Sequence, residues 1–89
     1  MITVIKKDGA KEPYDEEKLR NSIIAAAKDA GFDEDRIRQV VNNITQKVTD
    51  RISGEEEVAS HRLREIILRE LDNIEAEIAD AWRKYEAAK

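Results

Sequence analysis

Residues 2–19 read ITVIKKDGAKEPYDEEKL and predict a β-hairpin that leads directly into a helix. The β-branched run at the start ends in Asp8-Gly9, a strong short signal for a tight turn, and AKEPY supplies the return strand. Pro13 has no amide N–H to donate, so the second strand either ends there or lies at an edge of the sheet. This stretch therefore places a hairpin at the start of the fold.

Apolar positions after the hairpin recur at helical spacing and predict a helical remainder. Asp15 has the position of an N-cap for a first helix over about residues 16–30. Asp33 has the same position before a second helix, whose apolar stripe runs up to Gly54 and is the most regular in the chain. Two helices therefore follow the hairpin.

The second half of the chain predicts a short strand and two more helices. Residues 57–59 form the strand, and Ser60 is predicted to cap the third helix. One uninterrupted rod from there would be about 40 Å long, more than a domain of this size accommodates, so we place a break near residues 72–74. The predicted fold is α+β, with about four helices capped by a short antiparallel hairpin or three-stranded sheet in a single domain, residues 1–89.

Composition narrows the functional classes. The 89 residues are 40% charged with a net charge of −4, which argues against direct nucleic-acid binding through a broad basic face. No apolar run reaches the roughly 20 residues that span a bilayer, so no membrane association and a cytoplasmic location are expected. The chain has one histidine and no cysteine, which leaves no thiolate chemistry and no predicted metal site.

Cations are concentrated at the predicted turn. A two-residue loop places Lys6 opposite Lys11, and like charges in that position are unfavourable unless an anion lies between them. In that register Lys7 is diagonal to Glu12 and can be neutralised by it. The alternative interpretation is that lysines on an edge strand protect it from pairing with another sheet edge.

Lys18 adds a second cation close to this turn. It lies in the first turn of the first helix, where the helix dipole disfavours an ammonium group and favours an anion. A phosphate there gains from Lys18 and from the free N–H groups of the helix start. Alternatively, Glu16 or Glu17 neutralises Lys18 directly.

The stretch VIKKDGAKEPYDEEKL resembles the opening signature of the ATP-cone family, in which V-x-K-R-D-G precedes an aromatic residue, an Asp or Asn, and a K-I or K-L pair. EVASHRLREIILREL and IADAWRKY are similar to the later helices of that family, so the resemblance covers essentially the whole chain. Lys7 stands where the family usually has arginine, which keeps the charge but loses a bidentate fork. The residues that match the signature are Val4, Lys6, Lys7, Asp8, Gly9, Asp15, Lys18 and Leu19.

The resemblance implies a regulatory function. ATP-cones are found in many ribonucleotide reductases and in the repressor of their genes, where they bind ATP or dATP and switch assembly. It implies the nucleotide as ligand, Mg²⁺ carried by its phosphates, and a homo-oligomer or a reductase-type partner. The residues it assigns to the nucleotide are Val4, Ile5, Lys6 and Lys7 on the first strand and turn, Glu12 and Asp15 at the base or ribose, Lys18 at the phosphates, and Ser60.

Two other functional classes compete with this one. The chain could be a helical protein-interaction module whose nucleotide site is vestigial. An ATP-hydrolysing enzyme is disfavoured, because the sequence has no Walker loop and no constellation of nucleophile, base and orienting group. Trp82 and Tyr85 are expected to close the core, with stacking on a nucleotide base as the alternative.

Overall fold

The computed structural model describes residues 2–88, which form three short strands and four helices. The predicted α+β fold class is confirmed. In chain order the elements are β1 (Thr3–Ile5), β2 (Lys11–Pro13), α1 (Glu16–Asp29), α2 (Glu34–Ile52), β3 (Glu57–Ala59), α3 (Ser60–Ile74) and α4 (Ala76–Ala87).

The sheet has the strand order β2-β1-β3 and is mixed. β1 and β2 form the predicted antiparallel hairpin, whereas β3 pairs with β1 in parallel, so the sheet is not antiparallel throughout. A parallel pair needs a crossover between its strands, and α1 and α2 provide it here. The central strand β1 therefore joins the hairpin to the second half of the chain.

The predicted register of the hairpin is wrong by one residue. Val4 pairs with Glu12 and Ile5 with Lys11, so Lys6 comes opposite Ala10. The Lys6 amide donates to the Ala10 carbonyl at 2.8 Å, which leaves a loop of three residues rather than two. Lys6 and Lys11 therefore do not face each other, and the argument from repulsion between two directly opposite lysines does not hold.

The conformation of the turn explains the shift. A two-residue type I′ loop requires a positive φ at both central residues, whereas among the described residues only glycines have one: Gly9 has φ +88° and Asp8 does not. The Asp8 carboxylate instead accepts from the Ala10 amide at 2.9 Å, and the Gly9 amide donates to the Lys6 carbonyl at 2.9 Å. One left-handed residue closes a three-residue loop, and Gly9 supplies it.

Two of the three predicted helix caps are present. Asp15 accepts from the backbone amides at the start of α1, and Asp33 accepts from the Arg36 amide at 2.8 Å. The prediction for Ser60 is wrong, because Ser60 is the first residue of α3 and Ala59 occupies the cap position without a side-chain hydrogen bond. The parallel strand β3 continues directly into α3, so strand pairing, not a cap, sets the start of that helix.

The predicted break between the last two helices is confirmed one residue later than expected. Glu75 is extended, with φ −148° and ψ 97°, between the end of α3 and the start of α4. Its Oε2 accepts a 2.8 Å hydrogen bond from Nε of Arg36 on α2 and lies 2.8 Å from Nη2 of the same guanidinium. A charge-assisted arginine contact therefore holds the break against the second helix.

The core extends between the helices and under the sheet. Val4, Ile52 and Val58 pack together and join the sheet to the end of α2. Trp82 belongs to the main helical core and is 2% exposed, as predicted, while Tyr85 is half-buried. Within residues 2–88 no helix is long and apolar enough to cross a membrane.

Candidate functional site

A pocket of about 570 Å³ lies between the hairpin, the start of α1, and the facing sides of α3 and α4. It is bounded by residues far apart in the sequence, which the folding of the last two helices against α1 brings together. Its lining residues are Val4, Lys6, Lys7, Asp8, Glu12, Pro13, Tyr14, Asp15, Lys18, Leu19, Ser22, Ser60, Leu63, Arg64, Ile67, Trp82 and Glu86.

The structure brings seven of the eight predicted site residues to this pocket. The exception is Ile5, which does not line it. Successive side chains of a strand point to opposite faces, so Val4 and Lys6 share one face and Ile5 lies on the other. Ile5 shares its face with Lys11 and Glu57, whose side chains form an ion pair at 3.1 Å across β1. Ile5 is therefore not part of the candidate site.

The charge pattern around the turn differs from the predicted one. Lys6 is the lysine that reaches Glu12, at 3.4 Å between Nζ and Oε2, because the observed register puts these two on a diagonal of the same face. Lys11 is engaged with Glu57 on the other face and lies outside the pocket. Among the described residues Lys7 and Lys18 form no ion pair, so these two lysines are the ones available to an anion.

Asp15 occupies part of the helix start that we expected an anion to use. Its Oδ1 accepts from the Glu17 amide at 3.0 Å and from the Lys18 amide at 3.3 Å. These N–H groups are therefore not free, contrary to the prediction. The cationic character of this end of the pocket comes from the Lys18 side chain, while Asp15 fixes the backbone that carries it.

Arg64 is a lining residue that sequence reasoning missed. It lies on α3 one turn after Ser60, on the same side of the helix, and it forms no ion pair within residues 2–88. Helical spacing from Ser60 was the available signal, since residues four apart share a face. With Lys7 and Lys18, Arg64 makes a third unpaired cation in the lining.

The pocket also has an apolar wall. Leu19, Ile67 and Trp82 are almost fully buried and belong to the helical core, yet each also lines the pocket, together with half-buried Leu63. The pocket therefore combines an apolar wall with cationic side chains. This is the arrangement expected for a ligand that has a flat, weakly polar end and a strongly anionic end.

Tyr14 contributes a perturbed phenol to the lining. Burial raises the pKa of Tyr14 above its usual 10.0, the negative charge of Glu16 adds to the rise, and the neighbouring Thr49 hydroxyl opposes it. The neutral phenol is therefore the form present at physiological pH. It adds a polar group without adding charge.

The carboxylates of the pocket do not form a metal centre. Among the described residues there is no cluster of three or more His, Cys, Asp or Glu side chains placed to hold a metal ion. Glu12 is paired with Lys6 and Asp15 is used as a helix cap.

A family model for the ATP cone domain matches residues 2–88, that is, all of the described chain. The mixed sheet and the four helices are consistent with that match. The chain therefore belongs to the ATP-cone family.

Curated relatives carry the name transcriptional repressor NrdR. The protein of Maricaulis maris is 36% identical over 75 residues, covering 84% of this chain and 45% of the relative. The protein of Methylobacterium nodulans is 32% identical over 92 residues, covering 99% of this chain and 47% of the relative. The protein of Rhodospirillum centenum is 36% identical over 74 residues, with 83% and 47% covered. The chain spans about half the length of these relatives.

These relatives overturn one expectation. The net charge of −4 argues against direct nucleic-acid binding, but the relatives are transcriptional repressors. The charge argument was wrong because it counted only a stretch that corresponds to about half of each relative. The net charge of this chain carries no information about the charge of the rest of each relative.

Proposed function

We propose that the pocket binds ATP or dATP and that occupancy regulates an assembly or a partner rather than supporting catalysis. The observation that carries this proposal is that one pocket of about 570 Å³ contains both an apolar wall and three cations without an ion pair, Lys7, Lys18 and Arg64. An ammonium or guanidinium group without a carboxylate partner within residues 2–88 gains most from a polyphosphate. The apolar wall gives a nucleobase a place to bury its faces.

The polarity of the pocket suggests how the nucleotide is oriented. The phosphates lie toward Lys7, Lys18 and Arg64, and the base lies toward the wall that includes Leu19 and Trp82. Lys6 Nζ lies 3.4 Å from the Glu12 carboxylate, so a phosphate oxygen would compete with that carboxylate for the ammonium group. Mg²⁺ enters with the phosphates, since the described residues provide no metal cluster of their own.

The regulatory part of the proposal follows from the membership of the ATP-cone family and from the elements that the pocket joins. The hairpin and three of the helices each contribute to its lining. A ligand held by all of them changes the relative stability of their arrangements and so biases any surface they form. By family resemblance that surface regulates ribonucleotide reductase or the expression of its genes, through a homo-oligomer or a partner protein.

Calorimetric titration of the wild-type chain with ATP, dATP and GTP tests the proposal. We expect saturable binding of ATP and dATP, accompanied by no release of phosphate above background. Sedimentation with and without nucleotide then shows whether binding changes assembly. Absence of binding at millimolar nucleotide would refute the proposal and favour a protein-interaction module with a vestigial site, and steady phosphate release would indicate an enzyme.

A further inference from the structure

A second group of cations lies on the far side of α3 from the nucleotide pocket. Residues 60, 63, 64 and 67 line the pocket, and residues two positions further along α3 line a groove of about 240 Å³ against α2. Side chains two positions apart on an α-helix point about 200° away from each other, which places the groove on the opposite face of the same helix. The arginine groove, as we call it, is lined by Arg51, Arg62, Glu65, Ile66 and Arg69.

Two of the three arginines are held in place by ion pairs with carboxylates outside the groove lining. Nε and Nη2 of Arg51 each lie 3.1 Å from Oε1 of Glu70, a carboxylate whose side chain is 4% exposed. Nη1 of Arg62 donates to Oε1 of Glu55. A guanidinium has five N–H donors, so each of these arginines keeps unused donors after its ion pair is made. The carboxylates therefore orient the arginines without exhausting them.

Arg69 has no ion pair or hydrogen bond from its side chain to any other residue of the part of the chain that the structure describes. Its whole guanidinium is therefore available in the groove. Arg69 lies about one turn of α3 after Glu65 and about two turns after Arg62. Glu65 is the carboxylate that lines the groove itself, and the other two nearby carboxylates are taken up by Arg51 and Arg62. Lys47 on α2 also lies 3.8 Å from Glu70. With Lys47 and the three arginines, four cations stand against the three carboxylates Glu55, Glu65 and Glu70, which leaves an excess of one positive charge.

We propose that the arginine groove binds a phosphate-type oxyanion, at a site separate from the nucleotide pocket. Planar guanidinium forks match the geometry of phosphate oxygens, and pre-oriented arginines lose less side-chain entropy on binding. The same chemistry is offered by free phosphate and by the backbone phosphate of a nucleic acid. Because the groove is exposed, with side chains of Arg51 and Arg62 about half accessible, binding is weakened by salt.

The test is a site-resolved NMR titration of the full chain at constant ionic strength, with one arm using sodium phosphate and one using a short DNA duplex. Three proteins are compared: the wild type, Arg69→Gln, and Arg38→Gln as the matched control. Arg38 is an exposed arginine of α2 that pairs with Asp35 at 3.4 Å and lies outside the groove. Neither position is buried, so both variants keep the fold.

We expect saturable shifts of the residue 62–69 amides in the wild type and in Arg38→Gln, with affinity reduced about tenfold in Arg69→Gln. Saturation by phosphate identifies a free-phosphate site, and saturation by the duplex alone identifies backbone phosphate. The proposal is overturned if neither ligand gives saturable shifts there, or if Arg69→Gln and Arg38→Gln bind equally. Because the readout is local to the far face of α3, failure of ATP to bind the nucleotide pocket leaves this test unaffected.

Discussion

The indole Nε1 of Trp82 donates a 3.0 Å hydrogen bond to the hydroxyl of Ser22, joining the last helix to the first across 60 residues of sequence. The Ser22 hydroxyl in turn donates to the Leu19 carbonyl at 2.8 Å. All three residues line the nucleotide pocket and are almost fully buried. A buried polar link of this kind fixes the distance between α1 and α4 where the pocket wall is formed.

Replacing Ser22 by alanine should destabilise the protein by about 1–3 kcal/mol, because the buried indole N–H loses its acceptor. The free energy of unfolding from urea denaturation measures this. Ser53→Ala is the matched control, since the Ser53 hydroxyl also donates to a carbonyl three residues earlier, that of Asp50, but is exposed. We expect a change within about 0.5 kcal/mol for the control. Equal costs for the two variants would contradict the structural role of the Trp82 link.

Gly9 should be intolerant of substitution for backbone reasons alone. Its φ of +88° is a conformation that L-residues adopt at a cost of about 1–2 kcal/mol, while a Cβ at this position meets nothing within 4 Å. Gly9→Ala is therefore expected to lower the free energy of unfolding by about that amount. Gly54 is the control, since it also has open space around it but lacks the positive φ. Gly54→Ala should be neutral or slightly stabilising, and a loss at Gly54 equal to that at Gly9 would count against the three-residue loop.

The Tyr14 phenol should lose its proton at a higher pH than an ordinary tyrosine, and this should affect the stability of the fold at alkaline pH. Its folded-state pKa is raised, chiefly by burial, so the folded protein holds the phenolic proton more tightly than the unfolded chain. The resulting contribution to stability is complete below pH 10.0, the unfolded value, and is lost as the pH rises through the higher folded value. Ultraviolet titration of tyrosinate should show a late step.

The matched variants Tyr14→Phe and Tyr85→Phe assign that step, because the chain has two tyrosines. The late step should disappear in Tyr14→Phe and persist in Tyr85→Phe. Persistence in Tyr14→Phe would show that the phenol at position 14 is not the perturbed group. In that case the account of a neutral, buried hydroxyl in the pocket wall would need revision.

Local signals in the sequence were sufficient for the helices and for the existence of the hairpin. Asp15 and Asp33 could be recognised as caps because aspartate is strongly preferred at the residue before a helix, where its carboxylate accepts from the first backbone amides. The break at Glu75 was anticipated from length alone, without a local breaker. What fixes it is the contact with Arg36, 39 residues away, which local sequence patterns do not reveal.

Long-range pairing explains the remaining differences. The parallel pairing of β3 with β1 depends on a crossover through two helices, and no short motif encodes it. Ser60 looked like a cap because it precedes an apolar run, but β3 continues into the helix and the cap position falls on Ala59. The hairpin register depended on the conformation of Asp8, and a shift of one residue exchanged the partners of Lys6 and Lys11.

For the candidate site, the family signature and the charge argument emphasised different lysines. The charge argument singled out Lys6 and Lys11 at the turn and Lys18 at the helix start, and the structure pairs Lys6 and Lys11 with carboxylates. The signature moved the emphasis to Lys6, Lys7 and Lys18, of which Lys7 and Lys18 have no ion pair within residues 2–88. Arg64 was missed because it lies on α3, a helix that joins the pocket only through tertiary packing.

The central claim is that the turn and the start of α1 form one phosphate site, and the affinity of Lys18→Ala for ATP tests it most directly. Lys28→Ala is the matched control, an exposed lysine near the other end of the same helix and outside the pocket. Removing Lys18 relieves an unfavourable interaction with the helix dipole, so stability should not fall. Calorimetry should show a loss of about tenfold or more for Lys18→Ala and wild-type affinity for Lys28→Ala. Equal affinities for the two variants would contradict the account.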